Sequence, residues 1–145
     1  MIIKHREGKH IASFFNTVYV FFNSLFKRNI ILKFTEESKY FLDNKNKLNW
    51  NKIVGKGGLI YSCKKKRKNE VFLVWRYNRD KDIFEIAEYY RENFTFFFHI
   101  VKTVKINEKY SFNINFLRGI IPLTPWFGGS KPSPKDVKYS LNFSN

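Results

Sequence analysis

Cysteine is almost absent. One residue, Cys63, in 145 excludes an internal disulfide framework and any metal site built from several thiolates. Histidine is scarce too. His5, His10 and His99 are scattered and Cys63 has no adjacent histidine, so neither a nucleophile elbow nor a metalloprotease spacing occurs. The glycine-rich patch Val54-Gly55-Lys56-Gly57-Gly58 lacks the Gly-Lys-Ser/Thr ending and the following helix of a phosphate-binding loop, and reads as a turn. Glu88 and Glu92 share a face of a strand about 13 Å apart, beyond the roughly 5–9.5 Å of a glycosidase carboxylate pair; on a helix they would be neighbours. The expectation is a protein that is not an enzyme and needs no cofactor and no metal.

Long uninterrupted apolar runs are also missing. Lys4, His5, Arg6, Lys9 and His10 precede an apolar stretch from Ile11 to Phe26, superficially the layout of a secretory signal. Asn16, Thr17, Asn23 and Ser24 interrupt that stretch, no small-residue cleavage pattern follows, and it is shorter than the roughly 20 apolar residues of a spanning helix. No membrane span and a cytoplasmic or phage-particle location are therefore expected. Val18, Tyr19, Val20, Phe21 and Phe22 favour a buried strand, while an amphipathic helix at a membrane surface stays open as the alternative.

Acidic residues are few: 12 Asp and Glu stand against 27 Lys and Arg, a net charge of +15. Residues 1–60 carry 11 basic and 4 acidic side chains and residues 61–145 carry 16 and 8, so the excess is spread along the chain rather than held in one tail. Lysine far outnumbers arginine, and Asn, Ile, Phe and Tyr are abundant, the usage of an AT-rich genome whatever the protein binds. Diffuse charge of this kind predicts weak nonspecific attraction to nucleic acid. The run Lys64, Lys65, Lys66, Arg67, Lys68, with Tyr61 nearby to stack on a base, is the candidate nucleic-acid-binding element; its plainer reading is a solvated hairpin loop.

What is plentiful is aromatic and apolar: 43% hydrophobic residues, with 17 Phe, 8 Tyr and 3 Trp, suffice for a real core in one domain spanning 1–145. From Asn29 onward the dominant period is two. Phe112, Ile114 and Phe116 alternate with Asn113 and Asn115; Val137, Tyr139, Leu141 and Phe143 alternate with Lys138, Ser140 and Asn142; and Val71, Leu73, Trp75 and Tyr77 share one face of a third strand. Residues 94–104 place Phe94, Phe96, Phe98 and Ile100 on one side and Thr95, Phe97, His99 and Val101 on the other, as in a strand between two layers. Asp82 to Phe94 also fits a helical stripe through Ile83, Ile86, Tyr90 and Phe94, but its Phe and Tyr content and its neighbours favour strand. Turn signals fall at Asp43 to Lys47, Gly55 to Gly58, Lys64 to Asn69, Asn78 to Lys81, Asn107-Glu108 and Pro122 to Pro134. Short strands so punctuated predict an all-β fold, an antiparallel sandwich, jelly roll or barrel, with residues 1–28 the segment of open type. Val71, Leu73, Trp75, Phe96, Phe98, Phe112, Ile114, Phe116, Tyr139 and Leu141 are expected to face one core.

Several short patches follow one another along the chain: Gly8-Lys9-His10; Leu32-Lys33-Phe34 with Glu37-Ser38-Lys39-Tyr40; Asn49-Trp50-Asn51-Lys52-Ile53-Val54-Gly55; Val74-Trp75-Arg76-Tyr77-Asn78; and Pro125-Trp126-Phe127-Gly128-Gly129 with Lys131-Pro132-Ser133-Pro134. Their order resembles a group of small proteins of Bacteroidetes and their phages, marked by Asn-Lys-Leu-Phe-Gly, Gly-Trp-Arg and Tyr-Phe-Gly-Gly-Asn…Ala-Pro-His patches. The resemblance spans nearly the whole chain and implies a compact all-β domain, concanavalin-like or jelly-roll, without bringing catalytic residues. The chain departs from that pattern where Lys64 to Lys68 replace histidines, and where Ser130 and Lys135 replace an Asn and a His.

Trp126, Phe127, Trp75 and Arg76 are the ligand-binding candidates. Trp126-Phe127 before Gly128-Gly129 would form an aromatic platform for a sugar ring or base, or else a plug closing the core. Trp50 and Trp75 carry the same two readings, with the core as the default for large aromatics, and Arg76 in an apolar run needs a partner, Glu85 or Glu88. The functional expectation is a non-enzymatic structural or binding module with a glycan or protein partner, or an oligomer of itself. The alternative is a basic nucleic-acid-binding protein acting through Lys64–Lys68.

Overall fold

The computed structural model describes residues 1–43, 49–57, 70–92, 95–115, 117, 121–128 and 131–145. Within these residues lie nine strands and one α-helix: β1 (Ile2–His5), α1 (Phe14–Phe26), β2 (Asn29–Phe34), β3 (Asn51–Gly57), β4 (Glu70–Asn78), β5 (Ile83–Glu92), β6 (Thr95–Val104), β7 (Lys109–Asn113), β8 (Ile121–Leu123) and β9 (Val137–Ser144). The strands form two antiparallel sheets, one in the order β1-β9-β2-β7 and the other β6-β5-β4-β3-β8. The fold is an all-β sandwich.

Period-two alternation builds the core from both sheets. Val71, Leu73, Trp75 and Tyr77 of β4 and Phe84 and Ile86 of β5 meet Ile30, Leu32 and Phe34 of β2 and Val137, Tyr139 and Leu141 of β9. Its centre is aromatic: Phe34 stacks on Phe84 at 4.4 Å, and Trp75 packs against Phe34 at 4.9 Å and against Tyr139 and Tyr40 at 5.5 Å. Aromatic pairs in such offset and edge-on arrangements add to the stabilisation of area burial alone. The β4–β5 hairpin turns at Arg79–Asp82, where the Tyr77 hydroxyl donates to Asp82 at 2.6 Å and Lys39 pairs with the same carboxylate at 2.8 Å. Asn107, at φ 62°, lies in the turn that takes the chain from β6 in one sheet to β7 in the other.

Four expectations are corrected. The segment that favoured a strand, within residues 11–26, is helix α1 over Phe14–Phe26. Its intrinsic β preference is outweighed by its ends and its place. Ser13 caps the helix, and Asn16 accepts the Lys4 backbone N–H and donates to the Ile2 carbonyl, both at 2.9 Å, while the Ser13 N–H donates to the Lys4 carbonyl at 3.3 Å. The start of α1 thus satisfies the free edge of β1, as an exposed sheet edge requires. The helix contacts β1 and β8, which end the two sheets.

Strand β6 does not lie between two layers. It is the edge strand of its sheet, and Thr95 to Thr103 are exposed on both faces, with Val104 alone buried. Phe96 and Phe98 consequently leave the core and point to the outer side of the sheet, beside Tyr89. The predicted turn at Gly55 to Gly58 is strand through Gly57, Gly58 lying outside the described residues. Gly55 serves packing instead: a Cβ there would fall 2.2 Å from the Phe72 ring that covers it. The predicted strand through Phe116 stops at Asn113; Ile114 is buried just beyond it, Phe112 packs partly against the core, and Phe116 is outside the described residues, as are the turns at 44–47 and 64–69.

Candidate functional site

The pleat that sends Trp75 into the core sends Val74 and Arg76 to the opposite face, and the same logic turns Phe72, Ala87, Tyr89 and Leu123 outward. An outer sandwich face is ordinarily polar. Here it is apolar, with Phe72, Val74, Ala87, Tyr89 and Leu123 forming a second buried cluster on which Trp50 packs. Next to this cluster opens a groove of about 660 Å³, within the range of small-molecule sites.

Its aromatic walls are held from several elements. Trp50 stacks on Phe98 of β6 at 5.6 Å with the rings 18° apart, and Phe98 and Phe96 lean on Tyr89 at 5.0 and 5.7 Å. Trp126 is fixed through its backbone. It exchanges two hydrogen bonds with Lys52 (2.7 and 3.1 Å), and its ring stacks on His10 at 4.9 Å and 14°. His10 is anchored in turn: its Nδ1 donates to the Phe127 carbonyl at 2.7 Å, and the Phe127 N–H donates to the His10 carbonyl at 2.7 Å. One more bond braces this wall from the core side. Buried Asn51 accepts the Gly128 N–H at 2.7 Å and donates to the Tyr40 hydroxyl at 2.8 Å. Burial pushes the Tyr40 hydroxyl up to about 12, so it stays protonated. Gly128 is at φ +66°, and a Cβ there would meet the Lys131 carbonyl at 2.2 Å, so only glycine fits.

Two cations line the groove among these rings. A bulge after Lys52 keeps its side chain outward while Ile53 and Val54 both turn to the core, and Lys52 Nζ lies 4.4 Å from the Phe72 ring centroid. The Arg76 guanidinium lies 4.4 Å from the Trp50 ring centroid, and its Nε donates to Glu85 at 2.5 Å. Glu85 is the partner Arg76 needed; Glu88 instead accepts from the Tyr90 hydroxyl. Burial alone would raise the Glu85 carboxyl, but hydrogen bonds from Asn78 (2.9 Å) and Arg76, with the Arg76 charge, overcome it and hold the group below its ordinary value. Glu85 is therefore a carboxylate committed to positioning Arg76.

The ligand-binding candidates separate cleanly. Trp126 and Arg76 line the groove, whereas Trp75 and Phe127 are each 0% exposed and belong to the core. The Trp126-Phe127 pair is thus divided between the two roles weighed for it. Asn49, Lys52, Tyr89, Phe96 and Phe98 join the site without having been singled out for it, and Trp50, whose default was the core, is partly exposed on the groove instead. The signal for Lys52 lay in its adjacency to Trp50 in the Asn49–Gly55 patch. Phe96 and Phe98 carried the right period but were expected to face the core, because alternation does not show that β6 is an edge strand. Tyr61 and Lys64–Lys68 lie outside the described residues. Among the described residues no group of three His, Cys, Asp or Glu side chains could hold a metal ion.

No protein-family model matches the chain, and neither a curated protein nor a solved structure matches it.

The groove can offer flat apolar surfaces and a few converging donors, from Asn49, Lys52 and Arg76. Such a set has the chemistry to receive a ring-shaped ligand with hydroxyl or anionic groups at its edge.

Proposed function

We propose that the protein is a non-enzymatic binding module, of a bacterial or phage setting, whose groove takes a carbohydrate. The observation that carries the reading is Trp126, partly exposed and backed on one side by the His10 ring, in a groove whose wall includes Trp50, braced by Phe98 and Arg76, and the outward donor Lys52. Stacking supplies affinity for the apolar face of a pyranose, and the donors fix its hydroxyls. The basic lining and the +15 net charge favour sugars bearing carboxylate or sulfate groups over neutral ones.

The test is calorimetric titration with matched neutral and uronic-acid oligosaccharides at about 0.15 M salt. Binding of the acidic series, reduced at least tenfold by Trp126→Ala and by Trp50→Ala in variants with unchanged circular dichroism, is the expected result. No binding by either series, or binding indifferent to both substitutions, overturns it. A nucleic-acid titration separates the alternative through Lys64–Lys68. Phosphate contacts make log K fall with log salt by about 0.9 per contact on duplex and 0.7 on single strands. Tight nucleic-acid binding that survives about 0.2 M salt and collapses when Lys64, Lys65, Lys66, Arg67 and Lys68 become Ser would displace the carbohydrate reading.

A further inference from the structure

Helix α1 is built inside out. At 100° per residue its 13 residues divide into two faces. Asn16, Val20 and Ser24 fall within one arc and are buried against the fold, two of the three being polar. The opposite arc, about 120° wide, carries Phe14, Phe15, Phe22, Leu25 and Phe26, with Ile11 just before the helix on the same line. The four phenylalanines are 75%, 78%, 57% and 76% exposed. A surface helix of a water-soluble domain normally buries its apolar stripe and wets its polar one. The reversal is enforced rather than accidental, because Asn16 is tied to both Ile2 and Lys4 of β1 and cannot turn outward without freeing that strand edge.

We propose that this face is a membrane-contacting surface, with the occupant an anionic lipid bilayer on which α1 lies flat. Three observations select it. The first is area: at about 200 Å² for a fully exposed phenylalanine, the stripe offers on the order of 600 Å² of ring surface, the top of the range for the largest patch on a typical monomer. The second is charge. From Gly8 to Thr35 there is no Asp or Glu, while Lys9 precedes the helix and Lys27 and Arg28 follow it directly. An apolar stripe bracketed by cations matches the acyl and headgroup layers of an anionic leaflet. A second copy is disfavoured by the same feature, since stripe-to-stripe pairing brings like-charged ends together between two molecules of +15. The third is length: 13 residues span about 20 Å, short of the roughly 30 Å hydrocarbon core, and no helix among the described residues is long and apolar enough to cross a membrane. The helix rests in the interface, its phenylalanines in the acyl boundary and Lys27 and Arg28 at headgroup level.

This inference does not rest on the carbohydrate groove. Its test is flotation of the full chain with phosphatidylcholine vesicles, and with the same vesicles containing about 30% phosphatidylserine, at 0.15 M salt. The wild type is expected to float with the serine-containing vesicles and much less with the neutral ones. Phe15→Ser/Phe22→Ser/Phe26→Ser should weaken that binding at least tenfold. Because these side chains are exposed, its thermal melt should match the wild type; single Phe15→Ser serves as the milder variant, with a smaller loss. Lys27→Ser/Arg28→Ser should reduce the preference for anionic vesicles, and Trp126→Ala should float unchanged. Equal flotation of wild type and triple variant would mean that diffuse charge alone attracts the protein, and would overturn the proposal. So would absence of flotation, including the case in which sedimentation shows a dimer abolished by the triple variant, the mark of a second copy as the true occupant.

Discussion

Arg76 joins two layers of the groove wall: its guanidinium lies 4.4 Å from the centroid of Trp50 while its Nε donates to Glu85, a carboxylate only 6% exposed. The charge pair holds the guanidinium over the ring, and the guanidinium in turn braces the tryptophan. Removing Arg76 leaves Glu85 buried with its charge unmatched and the Asn78 amide still donating to it, and an orphaned buried charge is costly. Arg76→Ala should therefore destabilise by about 3 kcal/mol in urea unfolding. Arg76→Ala/Glu85→Gln should recover a substantial part of that loss, since no buried charge remains. Equal stability of the single and double variants would show that Glu85 is solvated rather than dependent on Arg76.

Two tryptophans on adjacent layers should behave differently on truncation. Trp75 is 0% exposed at the centre of the aromatic core, so Trp75→Ala should cost about 3–5 kcal/mol. Trp126 rests on His10 at the groove and should cost about 1 kcal/mol when truncated, its larger effect falling on ligand affinity. A Trp75→Ala loss under about 1 kcal/mol, measured by denaturant titration, would contradict the core assignment.

Gly55 is a packing glycine. Its Cβ position is occupied by the ring of Phe72, itself 2% exposed, so Gly55→Ala should destabilise by about 1–3 kcal/mol through overpacking. Pairing it with Phe72→Leu should cost less than the sum of the two single changes, because the smaller side chain vacates the space the new methyl needs. Strict additivity in a double-mutant cycle would count against this account.

Acid should act through His5. Burial lowers its pKa to about 4 from an ordinary 6.5, with the nearby His10 backbone opposing the shift only in part. The unfolded chain then binds a proton that the folded chain refuses between these values. Stability is full above about pH 6.5 and falls as the pH drops toward 4, by about 3 kcal/mol from this group. His5→Phe places a non-titrating ring between Phe127 and Tyr139, whose centroids lie 5.6 and 6.2 Å from that of His5. The variant should lose clearly less stability than the wild type between pH 7 and 4.5. Identical pH profiles for the two would locate the acid sensitivity in the carboxylates instead.

The strands and the inner face of the sandwich were legible in the sequence. Val71, Leu73, Trp75 and Tyr77, and Val137, Tyr139 and Leu141, declare a buried face by alternation alone, because the pleat sends every second side chain to one side whatever lies beyond it. The Arg76 partner could be narrowed to Glu85 or Glu88 for the same reason, since side chains directly opposite in an antiparallel pair are neighbours. Alternation does not say what covers each face, and there the tertiary structure decided. Phe96 and Phe98 have the period of core residues but stand on an edge strand, so the same pattern builds the wall of a groove. Trp126 and Phe127 were separated by their backbone bonds to Lys52 and His10, partners more than 70 residues away in the chain. The segment that became α1 has strand-forming side chains. It is a helix because the free edge of β1 accepts the Asn16 side chain, and because the position between β1 and β8 is an end of both sheets. Local side-chain chemistry sets the period of a strand, whereas long-range pairing sets which faces and edges remain to be covered.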